Sequence, residues 1–197
     1  MLELELKACV PDAAGARARV VAAGGRLVFD GRMEDRRFDT PDRTESARDH
    51  VLRVRVYRDR SGDRALLDWK GPTSTTPDGY KSREEVSTGI GSAETAVMIL
   101  TQLGYVITRA IDRTVMQYSL GDATVRFERY PRMDDLVEVE GPPADLERAI
   151  AATGIPRSEF SADRLADFVV RFERRTGIRA ALCDADLVDD AEGACRA

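Results

Sequence analysis

Acidic and basic side chains alternate with apolar ones in six short segments of this 197-residue chain. The first segment, LELELK at residues 2–7, places Glu3, Glu5 and Lys7 at every second position. Side chains of a β-strand point alternately to its two faces, so this spacing predicts a strand with one charged and one apolar face. Bases of this kind bind a polyanion, and carboxylates bind the divalent cation that accompanies it.

Five further segments repeat the pattern and are predicted to be strands: 51–58, 65–70, 81–87, 123–129 and 136–140. The charged residues that share a face within these strands are Arg53 and Arg55; Asp68 and Lys70; Lys81, Arg83 and Glu85; Arg126 and Glu128; and Glu138 and Glu140. Two more strands are predicted, one at about 111–119 and one near either 26–30 or 34–39. The polar stretches 40–50 and 71–80 are predicted to be loops from their Pro, Gly, Ser and Thr content.

Four helices are predicted, at 12–23, 92–103, 143–153 and 158–176. The second has Ser92 as its N-terminal cap, and each of the four is followed by a glycine that can end it. Mostly antiparallel strands with interspersed helices indicate an α+β chain.

The charged faces have two interpretations. An ordinary antiparallel sheet exposes one polar face to solvent. Here, however, nearly all of the polar positions are ionic, and the helices need an apolar surface on which to pack. If the helices cover the apolar faces, the sheet closes into a barrel whose lumen is lined with charge.

The composition limits the classes of partner. Residues 183–197 carry five acids and one base, so the net charge of −5 belongs largely to this tail. The rest of the chain is near balance, which argues against a nucleic-acid partner. The three cysteines have neither disulfide nor zinc spacing. No apolar run approaches the length of a membrane span, so we expect a cytoplasmic protein that is a monomer or homodimer.

The charged segments, taken in order, resemble the CYTH superfamily, the triphosphate tunnel metalloenzymes. The matching motifs are ELELK at 3–7, RRFDTPD at 36–42, LRVR at 52–55, LDWKGP at 67–72, SREEV at 82–86, LGY at 103–105 and LVEVEG at 136–141. LDWKGP and the FDTPD part of the second motif look most like the class IV adenylyl cyclase branch. The resemblance covers about residues 2–175, so we expect a tunnel domain at 1–180 and an acidic tail at 181–197.

The resemblance implies a closed, eight-stranded antiparallel β-barrel, with helices packed outside, that binds a triphosphate with Mg²⁺ or Mn²⁺. Carried over by position, Glu5, Lys7 and Glu85 are the expected catalytic residues. The expected triphosphate-binding residues are Lys7, Arg53, Arg55, Lys70, Arg83, Arg113 and Arg126. The expected metal ligands are Glu3, Glu5, Glu128, Glu138 and Glu140.

Two positions depart from the family pattern. The basic pair after LGY falls on Arg113 and Val115, so the second base is missing; Arg126 is a candidate to replace it. The usual aspartate falls on Glu128, which keeps the charge on a longer side chain.

The resemblance implies two kinds of reaction, and binding without a reaction is a third possibility. The first is cyclisation of ATP to cyclic AMP and pyrophosphate. The second is hydrolysis of thiamine triphosphate or inorganic tripolyphosphate, and the third is binding of nucleotide or polyphosphate without turnover. Other chemically suggestive residues have simpler explanations: His50 and Asp39 as loop residues, and Cys9, Trp69 and Tyr118 as packing or structural residues.

Overall fold

The computed structural model describes residues 2–187, except for the side chains of Leu2 and Glu3. The strands are β1 (Leu2–Cys9), β2 (Arg26–Asp39), β3 (Val51–Asp59), β4 (Gly62–Lys70), β5 (Ser74–Thr75), β6 (Lys81–Ile90), β7 (Val106–Leu120), β8 (Ala123–Arg129) and β9 (Leu136–Glu140). The helices are α1 (Ala13–Ala22), α2 (Thr44–Ala47), α3 (Ala93–Gln102), α4 (Pro143–Thr153) and α5 (Leu165–Thr176).

Eight of these strands form a closed antiparallel barrel in the order β1, β9, β8, β7, β2, β3, β4, β6. Pairing of β1 with β6 closes the ring, with Glu3 opposite Arg83 and Glu5 opposite Lys81. The two-residue strand β5 adds to β6 outside the ring. The predicted fold, a closed eight-stranded barrel with external helices, is therefore confirmed.

The outer, apolar faces of the strands pack under helices as the alternation predicted. Leu6 and Val139 pack in one cluster with Leu146 and Ile150 of α4. Val54 of β3 packs instead with Leu100 of α3. Each of these side chains is buried, so burial of apolar surface fixes which strand faces turn outward.

Local signals position the helices. The side chain of Ser92 accepts a hydrogen bond from the backbone N–H of Thr95 at 3.0 Å and so caps α3. Pro143 stands in the first turn of α4. Gly154 ends that helix at φ +73°, a left-handed conformation that favours glycine.

The helix predicted at 158–176 is wrong over residues 158–164. Residues 157–159 form a short 3-10 turn, and α5 begins only at Leu165. Between them, Ser161 exchanges two backbone hydrogen bonds of 2.9 Å with Lys7 of β1. Phe160 is buried in the core beside this bridge, so an extended segment here joins the barrel wall.

Helix α5 lies against one end of the barrel. Its Phe168 clusters with Ile111, Tyr130 and Leu136. Leu136 stands two residues from Glu138, on the lumen-facing side of β9, so α5 closes part of that end. Leu182, from the described part of the C-terminal segment, joins the same cluster; the remaining tail, 188–197, lies outside the described residues. None of the helices described is long and apolar enough to cross a bilayer.

Candidate active site

The barrel encloses a cavity of about 390 Å³. Twelve of the side chains assigned from the sequence line it: Glu5, Lys7, Arg53, Arg55, Lys70, Arg83, Glu85, Arg113, Arg126, Glu128, Glu138 and Glu140. The side chain of Glu3 lies outside the described residues, although its backbone pairs with Arg83. The charged strand faces therefore converge on one lumen, and the solvated-sheet interpretation is wrong.

Asp35 of β2 is the centre of the basic part of the lumen. Arg55 binds it with two hydrogen bonds, from Nε to Oδ1 at 2.6 Å and from Nη2 to Oδ2 at 2.9 Å. Arg113 adds contacts of 3.2 Å, and Arg53 lies 3.8 Å away. Burial raises the pKa of Asp35, but the arginines outweigh it and hold the pKa well below its usual range.

Lys7 joins two carboxylates on neighbouring strands. Its Nζ lies 2.9 Å from Glu5 Oε1 and also contacts Glu138. Lys81 contacts the same oxygen of Glu5 from β6. Burial raises the pKa of both carboxyls, but Lys7 and the other bases outweigh it, so both pKa values are lowered. Two ionised carboxylates thus share the ammonium group of Lys7.

This shared position suits a hard divalent cation by its chemistry. The lining holds carboxylates but neither histidine nor cysteine, and carboxylate oxygens are what Mg²⁺ and Mn²⁺ prefer. Within residues 2–187, no three such groups are already arranged around an empty metal position. The assignment of Glu5 and Glu138 as metal ligands therefore stays a prediction.

Arg126 of β8 points into the lumen and adds a further base to its lining. Its guanidinium contacts Glu138, lies 4.0 Å from Glu140, and donates to Gln117 Oε1 at 3.1 Å. Val115, where the family pattern has a base, is fully buried in an apolar cluster with Met33 and Phe29. Position 115 therefore contributes apolar packing between β2 and β7 and no charge.

Both carboxylate oxygens of Glu128 accept hydrogen bonds from neighbouring side chains. Arg113 Nε donates to Glu128 at 2.9 Å, and the hydroxyl of Tyr130 donates to its other oxygen at 2.6 Å. Burial and then the Glu128 carboxylate raise the pKa of Tyr130 well above its usual value, so the hydroxyl stays a donor. Glu128 thus holds Arg113 in place, and its assignment as a metal ligand stays a prediction.

Two other assigned bases have distinct partners. Lys70 forms an ion pair with Glu85 across β4 and β6. Arg83 donates from Nε to the backbone oxygen of Gly71 at 2.8 Å and from Nη2 to that of Asp49 at 2.7 Å. Burial lowers the pKa of Arg83. Because backbone carbonyls orient Arg83, its positive charge is less compensated than that of Arg55.

The sequence assignment missed several lining residues: Arg37, Asp68, Lys81, Arg109 and Arg164. It also missed Asp35, since the position of β2 was left undecided between 26–30 and 34–39. One strand spans both, and its alternation places Met33, Asp35 and Arg37 on the lumen face. Asp68 and Lys81 carried the alternating signal in the sequence, but the resemblance assigned them no role.

Residues with simpler explanations lie outside the lumen lining. Asp39 accepts hydrogen bonds from the backbone N–H groups of Thr40, Glu45 and Ser46 and so organises the loop that includes α2. The ring of Trp69 is half-buried and meets that of His50 edge-on, with centroids 5.0 Å apart.

The protein is thus a closed barrel whose lumen combines buried arginines with two carboxylates that are joined by Lys7. The CYTH domain family matches residues 1–147 of the chain. The chain therefore belongs to the CYTH family.

Solved structures share the fold at low sequence identity. The PH1819 protein from Pyrococcus horikoshii OT3 superposes with a TM-score of 0.71 at 20% identity, covering 86% of this chain and 98% of that one. A putative adenylate cyclase from Vibrio parahaemolyticus gives 0.71 at 16% identity with the same coverage. A putative adenylyl cyclase from Hippeastrum, described as having a dominant triphosphatase activity, gives 0.62 at 15% identity, covering 86% and 93%. No curated protein matches.

Proposed function

We propose that the chain is a divalent-metal-dependent enzyme that acts on a triphosphate bound in the barrel lumen. The observation that carries the proposal is that one lumen holds both a set of buried arginines and a pair of carboxylates. The ammonium group of Lys7 joins the two carboxylates. Arginines alone would suit an anion carrier, but such a carrier has no need of the inward carboxylates, whose oxygens suit a divalent metal.

The bases bind the phosphate chain. Arg53, Arg55 and Arg113 meet at Asp35, which orients their guanidinium groups. Planar guanidinium groups match phosphate oxygens in pairs, whereas Lys7 and Lys70 act as point charges. Because these donors are fixed before the substrate binds, they stabilise charge on the phosphates without reorganisation.

The acids position the attacking group. Glu5 and Glu138 would hold the Mg²⁺ or Mn²⁺, which when bound would neutralise part of the charge on the phosphates. Glu85, which forms an ion pair with Lys70 on the neighbouring strand, would orient a hydroxyl group or a water near the phosphate chain. Most of the catalysis then comes from positioning and charge stabilisation, as is general for phosphoryl transfer.

The first candidate reaction is the one favoured by the LDWKGP and FDTPD motifs. In that reaction the 3′-hydroxyl of ATP attacks the α-phosphorus, forms the cyclic phosphodiester and displaces pyrophosphate. Cyclisation requires that the lumen also hold the adenosine close to the phosphates.

The second candidate is hydrolysis, in which water attacks the terminal phosphorus, forms orthophosphate and displaces the remaining diphosphate. Its supporting observation is the scarcity of aromatic surface for a nucleobase. Tyr57 is the one aromatic residue that lines the described cavity. Arg64 lies over its ring at 4.0 Å from the centroid, and Phe29 packs on it edge-on at 5.2 Å. A triphosphate without a base fits such a lining.

Product analysis separates the candidates. The pure protein is incubated with ATP, thiamine triphosphate or tripolyphosphate, each with Mg²⁺ or Mn²⁺, and the products are resolved by chromatography. Cyclic AMP with pyrophosphate identifies the cyclase, and orthophosphate identifies the hydrolase. Tight binding without any product from the three substrates would contradict an enzymatic role and leave a binding protein.

A further inference from the structure

Tyr57 of β3 lies two residues beyond Arg55 and lines the same lumen. The residue is buried, with 6% of its surface exposed. Its ring is held from two directions. Phe29 meets it edge-on with the ring centroids 5.2 Å apart, and the guanidinium carbon of Arg64 lies 4.0 Å from its centroid. A ring that is held in this way keeps its hydroxyl group in one place.

The register of the strands explains why the ring is held. Met33 of β2 lies directly opposite Tyr57 on one side, and Arg64 of β4 lies opposite on the other. Directly opposite residues of antiparallel strands are close enough for their side chains to interact. Tyr57 and Met33 also pack in one apolar cluster with Phe29 and Val115. The hydroxyl group is therefore the polar end of a side chain whose ring belongs to the core.

The hydroxyl group of Tyr57 receives a hydrogen bond but has no acceptor for its own hydrogen. Nη1 of Arg55 donates to the hydroxyl oxygen at 3.3 Å. An arginine side chain has only donors, so the acceptor for the hydroxyl hydrogen must be another group. No residue between positions 2 and 187 supplies one. A buried donor without an acceptor is costly, so a molecule bound in the lumen would relieve this cost.

The charges around Tyr57 favour an anion as that acceptor. Burial raises the pKa of Tyr57, but the positive charges of Arg55 and Arg126 outweigh it, so the pKa is lowered. Arg55 is itself held by both oxygens of Asp35. A hydroxyl group that accepts from a guanidinium group becomes a stronger donor, and a donor next to positive charge binds an anion best. The charged side chains that face the ring or the hydroxyl group are Arg53, Arg55, Arg64 and Arg126.

We propose that Tyr57 is a further substrate-binding residue, whose hydroxyl group donates a hydrogen bond to a phosphate oxygen of the triphosphate in the lumen. This inference rests on the proposed function, because the triphosphate supplies the acceptor. Asp35 orients the guanidinium group of Arg55, and that group fixes the hydroxyl oxygen, so the donor is in place before the anion binds. Tyr57 lies outside the LRVR motif at 52–55, so no motif of the sequence assigns it this role.

Calorimetric titration of tripolyphosphate in excess chelator, where metal-dependent turnover does not interfere, tests the hydrogen bond. Tyr57→Phe keeps the ring and removes the hydroxyl group. The affinity should fall about tenfold, the usual loss for one hydrogen bond to a charged group. The Tm of the ligand-free variant should stay within about 3 °C of the wild type, because the contacts of the ring remain.

Tyr118→Phe is the matched control. Tyr118 is also buried and meets an aromatic ring, that of Phe127, edge-on, but it lies outside the cavity lining. This variant should bind tripolyphosphate as the wild type does. Equal affinities of the wild type and Tyr57→Phe would overturn the inference alone. Failure of the wild type to bind, in chelator and with Mg²⁺ alike, would overturn the proposed function as well.

The pH dependence of binding separates a hydrogen bond to the substrate from a structural role. An ionised Tyr57 has no hydrogen to donate and adds a negative charge. The wild-type affinity should therefore fall as pH rises from about 7 to 10, towards and through the lowered pKa of this hydroxyl group. Tyr57→Phe lacks this component, so the difference between the two proteins should shrink over that range. A constant difference, or a Tm of Tyr57→Phe more than about 5 °C below that of the wild type, would assign Tyr57 a structural role and overturn the inference.

Discussion

Asp35 shows how one carboxylate can organise a basic lumen. It is fully buried, and its two oxygens receive hydrogen bonds from Arg55 and Arg113. Removing three buried arginines from water is costly, and this carboxylate, with Asp68 and Glu128, returns part of that free energy. The lumen can therefore be strongly basic at its centre without destabilising the barrel.

Replacement of Asp35 tests this role. Asp35→Asn keeps the shape but removes the charge, so the free energy of unfolding should fall by about 3–5 kcal/mol, the usual cost of breaking a buried ion pair. Urea denaturation measures the change. The control Asp135→Asn loses the carboxylate of a pair with the exposed Arg129 and should cost about 1 kcal/mol or less. Similar values for the two variants would contradict the organising role of Asp35.

The same residue predicts a pH dependence of stability. The pKa values of Asp35 and Glu138 are held well below their usual values. A carboxyl whose folded pKa is depressed stabilises the folded state above its unfolded pKa, and this contribution is lost as pH falls through the folded pKa. The free energy of unfolding should therefore decline below about pH 5. Denaturation curves at pH 7, 5, 4 and 3 should show a smaller decline in Asp35→Asn; an identical decline would refute the assignment.

Individual residues were predictable from the sequence where alternation and motif agreed. Arg53, Arg55 and Glu138 lie at alternating positions within recognisable motifs, and all three line the lumen. Arg37 could not be assigned this way, because the resemblance of its motif, RRFDTPD, lies in the aromatic and Asp-Thr-Pro part. Its lumen position follows from the register of β2 against β3 and β7, which is a long-range property.

At the scale of elements, the error at 158–176 has a physical cause. Phe160 and the apolar residues of α5 fit one helical stripe in sequence, but Phe160 is buried in a different cluster from Phe168. Ser161 forms two backbone hydrogen bonds with Lys7 instead of the hydrogen bonds of a helix. Periodicity alone cannot distinguish one long helix from a strand-like bridge followed by a shorter one.

Strand β7 also predicts the consequence of restoring the family pattern. Val115→Lys would place a charge in the buried cluster of Phe29, Met33 and Tyr57. We expect a loss of about 3–5 kcal/mol in stability, as for an uncompensated buried charge, and no gain in triphosphate affinity. Val106→Lys, at an exposed position of the same strand, should change stability by less than about 0.5 kcal/mol. Tighter triphosphate binding by Val115→Lys would mean that the apolar cluster opens readily to the lumen.

At the scale of the whole molecule, the alternating pattern left a solvated sheet and a charged barrel open, and the resemblance of the motifs implied the closed barrel. Period-two alternation fixed which residues share a face, and helices with apolar stripes required the other face for packing. The sequence did not indicate which two strands, β1 and β6, close the ring. It also did not indicate that α5 covers part of one end. Both features depend on contacts between residues far apart in sequence. The divalent cation and the reaction likewise follow from no local pattern.

The central claim, that a metal held by Glu5 acts on a triphosphate in the lumen, is tested by one comparison of turnover and binding. Wild-type protein and Glu5→Gln are assayed with ATP and tripolyphosphate, with Mg²⁺ or Mn²⁺ and then with excess chelator, beside Glu84→Gln, an exposed position outside the cavity lining. The account predicts metal-dependent turnover by the wild type and Glu84→Gln, and about a 100-fold or greater loss in Glu5→Gln. Calorimetry should show that Glu5→Gln still binds the triphosphate. Full turnover in excess chelator, or normal turnover by Glu5→Gln, would contradict the account.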